Sequence, residues 1–237
     1  MTEKELIAKI VEYFETYIFK NHIEASLKNN AKLKSYNINP IVVKYLSKVL
    51  EGDYTAKGVA KALFYPRVLG TSINTSFGTR IQNMFVELDL ASGSLIKGMD
   101  IEFKDKVDNR KKWCQLKSGP NTINSEDVKP LLNKFTTTIN LARTNKAFKG
   151  VNNTDFIVGV LYGETDELSM HYKTIDKTHP VIIGKDLWHR ITGFPNFYDG
   201  LVEELHKSIL TIDTKDLINK GCSDLEEEIK NSPLFDF

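Results

Sequence analysis

Four side chains near the middle of the chain combine types that can do chemistry. They are Asp100 and Glu102 in "GMDIEFKDKV", and Gln115 and Lys117 in "RKKWCQLKSG". Both stretches read as strands. In the first, Met99, Ile101 and Phe103 alternate with Asp100, Glu102 and Lys104, the period of two that gives a strand unlike faces. Asp108-Asn109 is a good turn pair. A two-residue turn there would pair Val107 with Arg110, Asp100 with Lys117 and Glu102 with Gln115, with all four chemical residues on one face. Met99, Ile101, Phe103, Cys114 and Leu116 would hold the other face to the core. Two carboxylates, an amide oxygen and an ammonium would then meet at a hairpin end that runs straight into Ser118-Gly119-Pro120-Asn121.

That set suits metal-assisted hydrolysis of a phosphodiester. Mg²⁺ prefers octahedral oxygen, keeps several waters, and takes one or two carboxylates alongside substrate phosphate oxygens. Asp100 offers the anionic ligand, and Gln115 and the Leu116 carbonyl offer neutral oxygens. Lys117 offers a charge to orient the attacking water and offset the phosphorane. Mn²⁺ is expected to substitute. A glutamine lowers the negative charge of the site, so Glu102, or Glu87 on the preceding helix, is expected to complete the metal ligands.

Ser118, Asn121, Thr122 and Asn124 carry the short hydroxyl and amide groups that contact phosphates and base edges. A turn followed by a helix cap at Asn124-Ser125 is the other use of the same residues. Lys104, Lys106, Arg110, Lys111 and Lys112 crowd the hairpin, which suggests DNA backbone contact by Lys106 and its neighbours, although such runs are commonly just solvated. Arg67 and Arg80 lie on helices expected to face DNA.

The surrounding elements have to position this hairpin. The segment "EKELIAKIVEYFETYIFKNHIEASLKNN" places Leu6, Ile10, Val11, Phe14 and Ile18 at helical spacing. A helix after Asn39-Pro40 carries Ile41, Tyr45, Leu46 and Val49 on one side. A third is interrupted near Pro66, and a fourth in "NTSFGTRIQNMFVELDLAS" aligns Ile81, Met84, Phe85 and Leu88. Beyond the hairpin, "SEDVKPLLNKFTTTINLARTNKAF" reads as a long helix with Ser125 as its N-cap. "DFIVGVLYG" reads as a buried strand, and "HYKTIDKTHPVIIG" as one or two short ones. Helices return in "GKDLWHRITG", "NFYDGLVEELHKSIL" and the acidic tail "DLEEEIKN". This order predicts an α/β fold with a small central sheet, helically extended at both ends. Residues 1–55 are expected to form a helical N-terminal region suited to dimerisation or to embracing a nucleic acid, and residues 56–237 the domain that carries the hydrolytic site, in one continuous fold with those helices.

Composition narrows the class. With 237 residues, 41% hydrophobic and 27% charged, the chain can bury an ordinary core, and its net charge of +1 leaves nucleic-acid binding open. No run approaches the ~18 apolar residues of a membrane span, and the N-terminus lacks a secretory pattern, so a cytoplasmic protein is expected. Cys114 and Cys222 have no metal or redox spacing, and the five histidines show no ligand pairing. Trp113 and Trp188 read as core.

Met99-Asp100 followed by "CQLKSGPNTIN" resembles the PD-(D/E)XK nuclease signature: an Asp at a strand start, then an acid-x-Lys on the adjacent strand. Met99 stands where the signature names Pro, and Gln115 where it has Glu or Asp. The string after Lys117 resembles restriction enzymes in particular. "LFYPRVLG", "FIVGVLYGETDELSMHYKTI" and "VIIGKDLWHRITG" are similar, in order and spacing, to restriction enzymes that cut GG-N-CC palindromes, a likeness running from about Leu63 to Gly193. The resemblance implies a restriction-endonuclease-like core with a small mixed sheet flanked by helices. It also implies a Mg²⁺-dependent type II enzyme cutting palindromic double-stranded DNA to 5′-phosphate and 3′-hydroxyl ends. In this family an extra acid such as Glu87 can come from the preceding helix. A two-fold target implies a homodimer. A repair or recombination nuclease on the same fold is the alternative enzyme reading. Gln115 keeps open a catalytically inactive DNA-binding protein.

Overall fold

The computed structural model describes residues 1–96, 98–144 and 150–237, and their side chains except those of 71–76 and 142–144. Its elements open with α1 (Glu3–Tyr13), α2 (Asn21–Asn30), α3 (Pro40–Glu51), α4 (Ala56–Pro66) and α5 (Ile73–Glu87). Next come β1 (Ser92–Gly93), β2 (Ile101–Lys104), β3 (Lys111–Lys117), α6 (Ser125–Thr144) and β4 (Phe156–Val160). The order closes with α7 (Met170–Asp176), β5 (Val181–Ile183), α8 (Gly184–Thr192), α9 (Phe197–Ile209) and α10 (Lys215–Lys230). Two compact units interleave along the chain: residues 1–11 with 78–206, and residues 12–77 with 207–237.

The first unit holds a sheet in the order β1-β2-β3-β4-β5. β1, β2 and β3 pair antiparallel, while β3, β4 and β5 pair parallel through the crossovers α6 and α7. The described residues therefore form an α/β fold around a mixed five-stranded sheet, as the element order predicted. Every residue of β4 is buried, as its apolar run required. On one face, Trp113, Phe156, Val158 and Val160 pack with Leu131, Phe135 and Ile139 of α6 and with Tyr172 and Ile175 of α7. Trp113 stacks on Phe156 at 5.1 Å between ring centroids. On the other, Gly159 lets α8 approach, since a Cβ there would lie 2.7 Å from Cys114 Sγ and 3.0 Å from Leu187. Burying an apolar side chain of this size on either face stabilises the fold by about 2 kcal/mol.

Several local expectations change. "HYKTID" belongs to α7, because Tyr172 and Ile175 are buried three apart on a helix, and only Val181–Ile183 of that stretch is strand. Asn124, not Ser125, caps α6: its Oδ1 accepts from Asp127 N–H at 3.0 Å while Asp127 Oδ2 accepts from Asn124 N–H at 3.2 Å. The expected continuation of α6 over 145–148 lies outside the described residues.

In the second unit, Asn39 Oδ1 caps α3 by accepting from Ile41 and Val42, and α3 closes on Gly52 at φ 77°. Its buried side is not the one the apolar spacing named. Ile41, Tyr45 and Val49 are 81%, 68% and 61% exposed, while Val43 and Ser47 are buried. The reason is a close approach: Gly58 of α4 lies against Ser47, with no room for a side chain between them. Small residues, rather than the larger apolar ones, set this contact. Val43, Val59, Ala60 and Phe64 close a core with Cys222, Leu225 and Ile229 of α10.

Candidate active site

The hairpin is longer at its turn than a two-residue connection. Asp105 N–H donates to the Arg110 carbonyl at 2.9 Å, leaving Lys106 to Asn109 as the loop. Asp105 Oδ1 accepts from Val107 N–H at 2.8 Å, and Asn109 takes the left-handed conformation at φ 63°. The register slips by two from the expected one: Ile101 pairs with Cys114, Glu102 with Trp113 and Phe103 with Lys112. A slip of two preserves faces. It nevertheless separates Glu102 from Gln115 and Asp100 from its expected position opposite Lys117.

A second irregularity sets Asp100. Its N–H donates to the Cys114 carbonyl at 2.9 Å, although Cys114 is already the partner of Ile101. Two residues of one strand thus face one of the other, the count of a β-bulge, a feature that re-aims side chains. The alternation ends here, and Met99 packs in the Trp113 cluster rather than with Ile101.

Asp100 Oδ2 consequently accepts two hydrogen bonds at 2.7 Å each, from Gln115 Nε2 and from Leu116 N–H. Burial raises the Asp100 pKa above its ordinary value. The Leu116 N–H, the Lys117 charge, the Gln115 amide and the Lys134 charge all pull the other way without overcoming it. Oδ1 accepts no hydrogen bond among the described residues. Because Gln115 turns its NH₂ toward the carboxylate, its amide oxygen points away from it. Leu116 presents N–H and C=O to the same edge of β3, so its carbonyl also faces the Asp100 side. Gln115 and Lys117 are half-buried. They do not occupy a solvent face of the sheet, since Trp113 on the same side is 3% exposed.

The other predicted acids are placed differently. The Glu102 carboxylate is occupied: Oε1 accepts from Ser94 Oγ at 2.7 Å and Leu95 N–H at 3.2 Å, and Oε2 pairs with Lys111 at 2.6 Å. Burial pushes Glu102 up, but these bonds and the Lys111 charge outweigh it and hold the carboxyl below its usual range. Glu87 is exposed at the C-terminal end of α5. Among the described residues no three His, Cys, Asp or Glu side chains come together as a metal-holding group. Two oxygen donors at Asp100, its uncommitted Oδ1 and the Leu116 carbonyl, still fit a hard cation that retains water and takes phosphate oxygens; the Gln115 amide adds its oxygen only by a flip that gives up its bond to Asp100 Oδ2.

Of the predicted DNA contacts, Ser118 is half-buried and Asn121 exposed in the loop leaving β3. Thr122 Oγ1 donates to the Gly119 carbonyl at 2.9 Å and lies 3.0 Å from the Tyr172 hydroxyl, so it also holds the turn. Asn124 is used as the cap of α6. Arg80 is half-buried on α5, Lys106 is exposed in the hairpin loop, and Arg67 is exposed in the second unit.

Two neighbours of the site carried little signal in a linear reading. Tyr162, half-exposed just beyond β4, lies over Gly119, with its hydroxyl 2.5 Å from where a Cβ would stand. Lys134 crosses Gly98, two residues before Asp100. A helical wheel places Lys134 at the border of the buried Leu131–Phe135–Ile139 stripe, the one hint available in advance.

Residues 6–211 match the family described as type II restriction endonuclease EcoO109I. The chain belongs to this restriction endonuclease family, which makes it a DNA-binding nuclease built on a restriction-endonuclease-like α/β fold. No curated protein matches the chain. None of the described helices is long and apolar enough to cross a membrane.

Proposed function

We propose that the chain is a Mg²⁺-dependent type II restriction endonuclease of the PD-(D/E)XK class. It makes sequence-specific double-strand cuts in palindromic DNA of the GG-N-CC type as a homodimer, leaving 5′-phosphate and 3′-hydroxyl ends. The observation that carries this reading is the Asp100–Gln115–Leu116 cluster beside Lys117 at the end of β3, in a chain of this family. Asp100 Oδ1 and the Leu116 carbonyl would hold the cation, joined by the Gln115 amide oxygen once that amide flips from Asp100 Oδ2. The cation, with Mn²⁺ able to replace Mg²⁺, would supply a lowered water pKa and charge stabilisation. Lys117 orients the attacking water and offsets charge on the phosphorane. Asp100 must be ionised for this work, and the two N–H groups on Oδ2 fix its direction while leaving Oδ1 for the ligand.

Plasmid DNA incubated with protein and Mg²⁺ tests the reading. Discrete fragments are expected, with Lys117→Ala binding DNA yet failing to cut it. A smear or nicks would favour a repair or recombination nuclease, and a fully active Lys117→Ala protein would sink the site assignment. One observation favours a second reading, an inactive sequence-specific DNA-binding protein: Asp100 stands without a second acid, since Glu102 is engaged by Lys111. Specific binding with no cutting in Mg²⁺ or Mn²⁺ is its signature.

A further inference from the structure

We infer that Lys134 of α6 is a positioning residue of the Asp100 site, a second ammonium that makes the site receptive to a phosphodiester before a divalent cation. This rests on the nuclease reading above and assigns a role beyond those of Asp100, Gln115, Leu116 and Lys117.

The geometry begins at Gly98. Its φ of +92° favours glycine, and a Cβ there would lie 2.9 Å from Lys134 Cδ, 3.4 Å from Cε and 3.5 Å from Nζ. The lysine stem therefore crosses the main chain two residues before the carboxylate, and its charge is felt at Asp100. On α6, Lys134 precedes the fully buried Phe135, which packs in the Trp113 cluster, so the helix cannot turn Lys134 away without disturbing that core.

The charges around Asp100 then carry the argument. Lys117 and Lys134 act on one carboxylate, Gln115 is neutral, and Glu102 is already paired with Lys111. Among the described residues, the charges acting on Asp100 are thus positive. A divalent cation entering the site alone meets two ammonium groups, whereas a phosphodiester brings the negative charge that one missing acid would have supplied. Lys134 thus favours the phosphate and opposes the metal until DNA is bound.

The test uses the full chain with Lys134→Met, which keeps the stem over Gly98, and Lys134→Arg, which keeps the charge. Mn²⁺ binding to the DNA-free protein is read by electron paramagnetic resonance. Binding of a duplex containing a site the wild type cuts is read in EDTA. Lys134→Met should tighten Mn²⁺ and weaken the duplex, each by about three- to tenfold, the scale of one screened charge at close range. Lys134→Arg should change neither by more than about twofold on the same charge argument. A stem that merely covers Gly98 would move neither affinity in the Met variant. Unchanged affinities, or two that fall together, overturn the proposal while a cutting wild type preserves the nuclease reading. A wild type that cuts no plasmid DNA overturns both.

Discussion

The two ends of one hairpin treat charge in opposite ways. At the turn end, every buried ionic group is matched. Asp105 is fully buried, bonded to Arg190 at 2.8 Å and to the loop N–H groups. Asp155 is paired with Arg110 and lies 3.5 Å from Lys112, which in turn reaches Asp108 at 2.5 Å and the Thr154 carbonyl at 3.2 Å. At the other end, Asp100 is held by an amide and a main-chain N–H, with one oxygen uncommitted among the described residues. The same residue types serve as structure where their bonding capacity is filled and offer chemistry where it is not. A lysine count does not distinguish the ends: Arg110, Lys111 and Lys112, which look like a DNA-binding run, are engaged by Asp155, Glu102 and Asp108.

This contrast breaks most sharply on a pair of substitutions. Asp100→Asn should lower cleavage by about a thousandfold, the loss of several kcal/mol of transition-state stabilisation, with little change in the urea midpoint. Asp155→Ala should do the reverse. Removing one partner of a buried pair costs about 3 kcal/mol, read by urea unfolding, while the cutting rate per folded molecule stays near wild type. A catalytic defect in Asp155→Ala at full folding would erase the distinction.

Acid should separate the ends next, with opposite signs. Burial raises Asp155, but the Arg110 bond, the Asn152 N–H and the charges of Arg110 and Lys112 outweigh it and lower its folded pKa below 3.8. Its contribution to stability is therefore present above the unfolded value and lost as pH falls through the folded one. Asp100 is raised above 3.8, so its ionised form costs stability, and that cost is relieved by protonation as pH falls through the raised value. Cutting at limiting Mg²⁺ should consequently fail on acidification before the fold does, with its midpoint above 3.8. Coincident loss of activity and of near-ultraviolet circular dichroism would contradict this.

The smallest expected effect belongs to Lys106, exposed in the hairpin loop. Lys106→Ala should change stability by less than about 0.5 kcal/mol. If Lys106 meets a phosphate, the slope of log affinity against log salt should fall by about 0.9. An unchanged slope would make this lysine a solvated one.

Much of the fold could be read in advance because it depends on local pattern. The buried run of β4, the period of two in β2 and the stripe of α1 each express a rule that neighbouring residues satisfy among themselves. The burial of α3 could not be read, since Gly58 against Ser47 chose the contact side over larger apolar residues. Nor could the turn register, which Asp105 sets by capping a four-residue loop where Asp108-Asn109 suggested a shorter one.

By itself, the sequence determined that a glutamine and a lysine would lie on one strand, with an aspartate at the start of its neighbour, in an α/β fold, because strand propensity and alternation are encoded within each segment. Tertiary structure decided how those residues meet. A bulge aimed Asp100 at Gln115 and Leu116, Lys111 withdrew Glu102, and the docking of α6 brought Lys134 over Gly98. Each depends on a partner between 9 and 36 positions away in the chain, and such distances close only when the sheet and its covering helix pack together.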